Sequence, residues 1–100
     1  YDMVSQKYYS VVTRIDCEER IHRRNLLSLM SSNDMENWNL VCDLIDKRED
    51  DIEKVGFQYV DFEIEGEDII YLCRTAMNNA HNFHDSNYST FHRIQNFRNI

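Results

Sequence analysis

The sequence predicts an all-α fold, a small bundle of five or six helices with one extended connector. Three observations predict it. The 100 residues contain no Pro and only two Gly, Gly56 and Gly66, and all-β folds take many tight turns from those two residue types. Several segments carry apolar residues at steps of three and four. Polar runs such as Ser31-Ser32-Asn33-Asp34 separate them. With 42% hydrophobic and 29% charged residues, the chain has the composition of one globular domain and not of a disordered tail.

The first expected helix covers roughly 3–15, where Val4, Tyr8, Val11 and Ile15 fall at steps of 4, 3 and 4 with Val12 beside them. A second, near 18–31, takes Ile21, Leu26, Leu27, Leu29 and Met30 as its apolar side and Arg20, Arg23 and Arg24 as its solvent side. Asp16 and Glu19 loosely match a capping box at its start. Asn33 with Glu36 resembles a second capping box before a helix near 34–46, in which Trp38, Val41 and Ile45 share a face and Trp38 is a core anchor. A short helix at about 48–55 starts on Glu49, Asp50 and Asp51 and ends at Gly56 in a left-handed cap. Residues 57–65 alternate, with Val60, Phe62 and Ile64 against acids. That is strand periodicity, but no second strand is evident to pair with it, so it reads as the extended connector. A helix over 67–80 follows, with Ile69, Ile70, Cys73, Ala76, Met77 and Ala80 as a broad apolar face. A last helix from 87 to 98 places Tyr88, Phe91, Ile94 and Phe97 at threes.

The net charge of −7 argues against a general affinity for phosphate backbones, which rests on Lys and Arg. Residues 43–68 concentrate the acids, Asp61, Glu63 and Glu65 among them, and 14–24 hold Arg14, Arg20, Arg23 and Arg24. Such a division suits binding to another copy or to a charged partner. Cys17, Cys42 and Cys73 are odd in number and widely spaced, so neither a disulfide framework nor a zinc site is expected. Free thiols suit an intracellular chain, in cytoplasm or nucleus. No signal peptide or membrane-spanning run is visible. The start at Tyr reads as a domain cut from a longer protein.

Little in the chain suggests chemistry. His81 and His84, with Asp85 and His92 nearby, lack HExxH or paired-Cys context for a metal. Cys73 sits in an apolar stripe, where a thiol is inert. The aromatic and basic mixture from Phe83 to Arg98 gives an alternative reading as a nucleic-acid-binding appendage. No catalytic residue, metal or cofactor is assigned, and no enzymatic activity is expected.

Residues 26–80 resemble a sterile alpha motif domain. Glu49-Asp50-Asp51-Ile52-Glu53-Lys54-Val55-Gly56-Phe57 is similar to that family's acid-led turn, Leu26-Leu27-Ser28-Leu29-Met30 to its first helix, and 67–80 to its long helix. Asn37-Trp38-Asn39-Leu40-Val41 is similar instead to the Trp-led second helix of death-fold domains. Both resemblances imply protein assembly without catalysis, in signalling, apoptosis or transcription regulation. An oligomerising helix before a sterile alpha motif domain also resembles the C-terminal region of tumour-suppressor-type transcription factors. The expected organisation is an association helix over 1–16 and a helical interaction domain over 17–100, forming a homodimer or homo-oligomer or binding a related domain. The interaction residues named are Val4, Tyr8, Val11, Val12, Ile15, Asp61, Glu63 and Glu65.

Overall fold

The computed structural model describes residues 1–18 and 23–100. It is all-β, and this overturns the helical bundle. Six strands run in the order β1 (Tyr8–Thr13), β2 (Leu26–Ser32), β3 (Trp38–Asp46), β4 (Gly56–Glu65), β5 (Asp68–Ala76) and β6 (Tyr88–Ile94), followed by a short 3-10 helix, Phe97–Asn99. They form two three-stranded antiparallel sheets, β1-β2-β3 and β4-β5-β6. An all-β chain belongs to neither the sterile alpha motif nor the death-fold class, and the resemblances noted above are coincidences of spacing. The expected association helix over 1–16 is a turn followed by β1, which pairs with β2 from Tyr8↔Ser32 to Thr13↔Leu27. Glu19, Arg20 and Ile21 of the expected second helix lie outside the described residues.

Alternation explains the core. On β5, Ile69, Tyr71, Cys73 and Thr75 point inward and are buried, while Leu72 and Arg74 point out. Their partners on β4 include Phe57 and Ile64, and Ile94 lies opposite Ile69 on β6. The first sheet contributes Val11, Leu27 and Leu29 to the same core. Phe97 closes one end and meets Tyr9 edge-on, with ring centroids 4.9 Å apart. The sheets therefore pack face to face over one shared core, each leaving its other face outward.

The turns explain how a chain so poor in Gly and Pro forms strands. The Asn33/Glu36 pair does not cap a helix; Asp34 instead organises the β2–β3 hairpin. One carboxylate oxygen accepts the amides of Glu36 (2.9 Å) and Asn37 (2.8 Å), and the other accepts the Asn37 side-chain amide at 2.8 Å. These bonds, the Asn37 amide first, hold the Asp34 carboxyl well below the usual carboxylate range. Left-handed backbone falls on Met35 in this turn and on Asn78, Asn79 and Asn96 elsewhere, and Asn tolerates that region best after Gly. Gly66, at φ +63°, turns β4 into β5. Gly56 does not cap a helix but opens β4. A Cβ there would lie 3.0 Å from the Phe83 Cβ and 3.1 Å from its carbonyl oxygen, so the strand start needs the missing side chain for close approach.

Trp38 is not the core anchor expected. It opens β3 on the outward face at 37% exposure, and its indole N–H donates to the Met35 carbonyl at 3.1 Å. Trp38→Ala should therefore cost well below the roughly 3–5 kcal/mol of a buried aromatic. Urea unfolding of the two proteins checks this.

Candidate functional site

The interaction residues named from the sequence separate into two sets. Val4, Tyr8, Val11, Val12 and Ile15 do not form one stripe. Val4 sits in the N-terminal turn and Ile15 beyond β1, both exposed, while Val11 enters the core and the next residue, Val12, faces the other way. Helical spacing placed them together; strand alternation separates them. Asp61, Glu63 and Glu65 occupy alternate positions of β4 and share its outward face.

That face has an ordered composition. Cross-strand pairing gives a row of Asp61, Leu72 and Phe91, and beside it a row of Glu63, Ile70 and Arg93. Leu72 is 48% and Phe91 60% exposed, although both lie in the middle of strands. Asp61, Glu63, Ile70, Leu72 and Phe91 line a shallow cleft of about 210 Å³. Arg93 reaches Asp68 at 2.9 Å and Glu65 at 3.0 Å. Glu65 is thus neutralised within the sheet, whereas Asp61 and Glu63 have no basic partner among the described residues. Two unpaired carboxylates therefore border an exposed apolar centre.

The aromatic and basic segment from Phe83 to Arg98 is divided by β6. His92 faces inward and stacks on Tyr71, with centroids 4.7 Å apart. Arg93 and Arg98 are bound to carboxylates, Arg98 meeting Asp2 at 2.7 Å, and Phe97 is buried. Of the aromatic side chains on β6, Phe91 is the one on the acid-bordered face.

A polar chain lies on the inward side of the same sheet. The His92 ring nitrogen hydrogen-bonds the Thr90 hydroxyl (2.7 Å), which hydrogen-bonds Thr75 (2.8 Å), which reaches the Cys73 sulfur at 3.8 Å. Burial lowers the His92 pKa and raises that of Cys73, so the neutral forms of both are favoured. Cys73, 1% exposed, is a packed thiol without the electropositive, open setting of a nucleophile. All three cysteines are free thiols. A reducing agent should leave the melting temperature unchanged, as a thermal scan with and without it would show. His81 and His84 lie exposed in the β5–β6 loop. Among the described residues, no three His, Cys, Asp or Glu side chains gather as a metal site.

The outward apolar centre was missed in the sequence because Leu72 and Phe91 lie 19 positions apart and meet only through strand pairing. No family model matches the chain, and neither a curated protein nor a solved structure matches it.

Proposed function

We propose that this chain is a protein–protein interaction module whose contact surface is the outward face of β4-β5-β6. The observation that supports the reading is the apolar centre of the exposed Leu72 and Phe91 beside the half-buried Ile70, bordered by the unpaired Asp61 and Glu63. Apolar side chains exposed in mid-sheet gain by being covered. Carboxylates without partners select who covers them, because a neutral or acidic partner would desolvate them without compensation. The fitting partner is a protein segment that presents apolar side chains flanked by Lys or Arg. The three free thiols support a reducing, intracellular setting. No helix among the described residues is long and apolar enough to cross a membrane.

Two short peptides test the reading by NMR titration, one alternating Lys with Leu and Phe, the other carrying Glu in place of Lys. The basic peptide should shift resonances of Asp61, Glu63, Leu72 and Phe91, with affinity falling as salt rises. The Leu72→Ser and Phe91→Ser double variant should remove the shifts. Equal binding of the two peptides, or none by either, would overturn the proposal. Solution mass across concentrations then tells another copy of the chain from a different partner.

A further inference from the structure

A second surface lies on the other side of the molecule, on the outward face of β1-β2-β3. Three cross-strand rows make it: Tyr8, Ser32 and Trp38; Ser10, Met30 and Leu40; Val12, Ser28 and Asp43. Residues paired across antiparallel strands share a face. The apolar side chains here are open to a partner. Leu40 is 47% and Val12 38% exposed, Trp38 nearly as much, and Met30 and Tyr8 are half-buried. Tyr1 meets Tyr8 edge-on, with ring centroids 4.8 Å apart, and widens the patch at one end. Ser10, Val12, Met30 and Trp38 line a shallow hollow of about 370 Å³. Leu40 stands beside it, paired with Met30.

Unlike the acid-bordered face, this one carries no unpaired charge. Asp43, the one charged residue in the three rows, is held by Arg14 at 3.0 Å and by the Ser28 hydroxyl at 2.6 Å. The Ser32 hydroxyl donates to Asp34 at 3.0 Å, and the Trp38 indole N–H donates to the Met35 carbonyl. Covering the face therefore removes apolar surface from water and leaves these donors satisfied. The net charge of −7 opposes close contact between two copies, but a contact through this neutral face keeps their acids apart. The two acid-bordered faces would point away from each other across three inter-sheet spacings of about 10 Å, several times the screening length in physiological salt.

We infer that the outward face of β1-β2-β3 is a self-association surface whose occupant is a second copy of the chain. A two-fold contact matches each projection with a recess twice. Leu40 of each copy enters the hollow between Val12, Met30 and Trp38 of the other. Lys or Arg on a partner gains nothing here, which separates this surface from the face of Asp61 and Glu63. Three strands about 4.8 Å apart and five residues long make a face of only about 14 by 17 Å. That is well under the roughly 800 Å² per partner of a standard complex, so the dimer is weak, with a Kd between about 10 μM and 1 mM. The surface shares no residue with the proposed basic-partner face, so either reading can fail without the other.

Sedimentation equilibrium of the full chain from about 10 μM to 1 mM reads the mass over the range in which such a dimer forms. The emission of Trp38, the only Trp in the chain, reads this face. The mass should rise towards that of a dimer, and the emission should move to the blue in parallel. Leu40→Glu and, on the far strand, Val12→Glu should each weaken association about tenfold or more, because each buries a carboxylate without a partner. Both positions are exposed, so both variants should keep the dispersed amide spectrum of the folded chain. The Leu72→Ser and Phe91→Ser double variant should associate as the parent does. A parent that stays monomeric at the highest concentration, or a dimer that forms without a change in Trp38 emission, would overturn the inference. So would a dimer lost only in the Leu72 and Phe91 variant. A dimer that survives Val12→Glu would also overturn it, and would point to pairing along the outer edge of β3.

Discussion

Phe57→Ala should cost about 3–5 kcal/mol of folding stability, the expected loss for a fully buried aromatic. Phe57 is 1% exposed and belongs to the core cluster that also holds Val11, Leu27 and Leu29 of the other sheet. Its amide donates to the Arg24 carbonyl at 2.8 Å, so the backbone joins the sheets where the ring fills the space between them. The sheets cannot close in on the methyl group that Ala leaves, because that bond and the close approach of Phe83 at Gly56 already fix the strand. For a chain of this size the loss amounts to a melting temperature lower by roughly 20 °C. It is also a large share of total stability. Urea denaturation followed by circular dichroism measures it. A loss below about 1 kcal/mol would mean that the sheets do not share this core.

Arg98→Met should give the largest loss among the charged positions and should change how stability depends on acid. Asp2 is 3% exposed and Arg98 holds it through two hydrogen bonds of 2.7 Å, while a third reaches the Gly66 carbonyl at 3.0 Å. One side chain thus ties the N-terminal turn, the β4–β5 turn and the end of the chain together. Removing it strands a carboxylate that is shielded from water. Asp2→Asn combined with Arg98→Met should recover part of the loss, since the stranded charge is then gone. Arg98 first, then Ser5 and the amides of Ser5 and Val4, hold the Asp2 carboxyl well below its ordinary value of 3.8. The folded state therefore takes up this proton less readily than the unfolded chain. The contribution is full above pH 3.8 and is lost as pH falls through the depressed folded value. The parent should lose melting temperature below that point more steeply than Asp2→Asn does. Identical acid profiles would show that the clasp is not formed in solution.

The helical expectation failed at identifiable places. Ile69, Ile70, Cys73, Ala76 and Met77 fit a helix face, but Ile69, Tyr71, Cys73 and Thr75 fit a strand equally well, and the strand set is buried throughout, whereas Ile70 and Met77 of the helix set are only half-buried. A run apolar on both faces satisfies either period. The alternation of Val60, Phe62 and Ile64 is legible as a strand, but its partner, β5, is the segment whose spacing also fits a helix, so the pairing is hidden in the sequence. Leu26 to Ser32 gave no alternation at all, since β2 is central in its sheet and nearly every residue in it is covered. The shortage of Gly and Pro misled because Asp34 and several Asn residues make the turns those residues usually make.

The sequence by itself determined that the acids gather around residues 43–68 and that Asp61, Glu63 and Glu65 lie on one face. That last placement survives because a two-residue repeat is fixed by the local extended backbone alone. Only the tertiary structure decided the rest. It paired Asp61 with Leu72 and Phe91, left Asp61 and Glu63 unpaired while neutralising Glu65 through Arg93, buried Val11 while exposing Val12, and turned Trp38 outward. Each of these depends on which strand lies beside which and in what register. Register is set by hydrogen bonds between residues distant in the chain, and a shift of one residue would exchange the two faces.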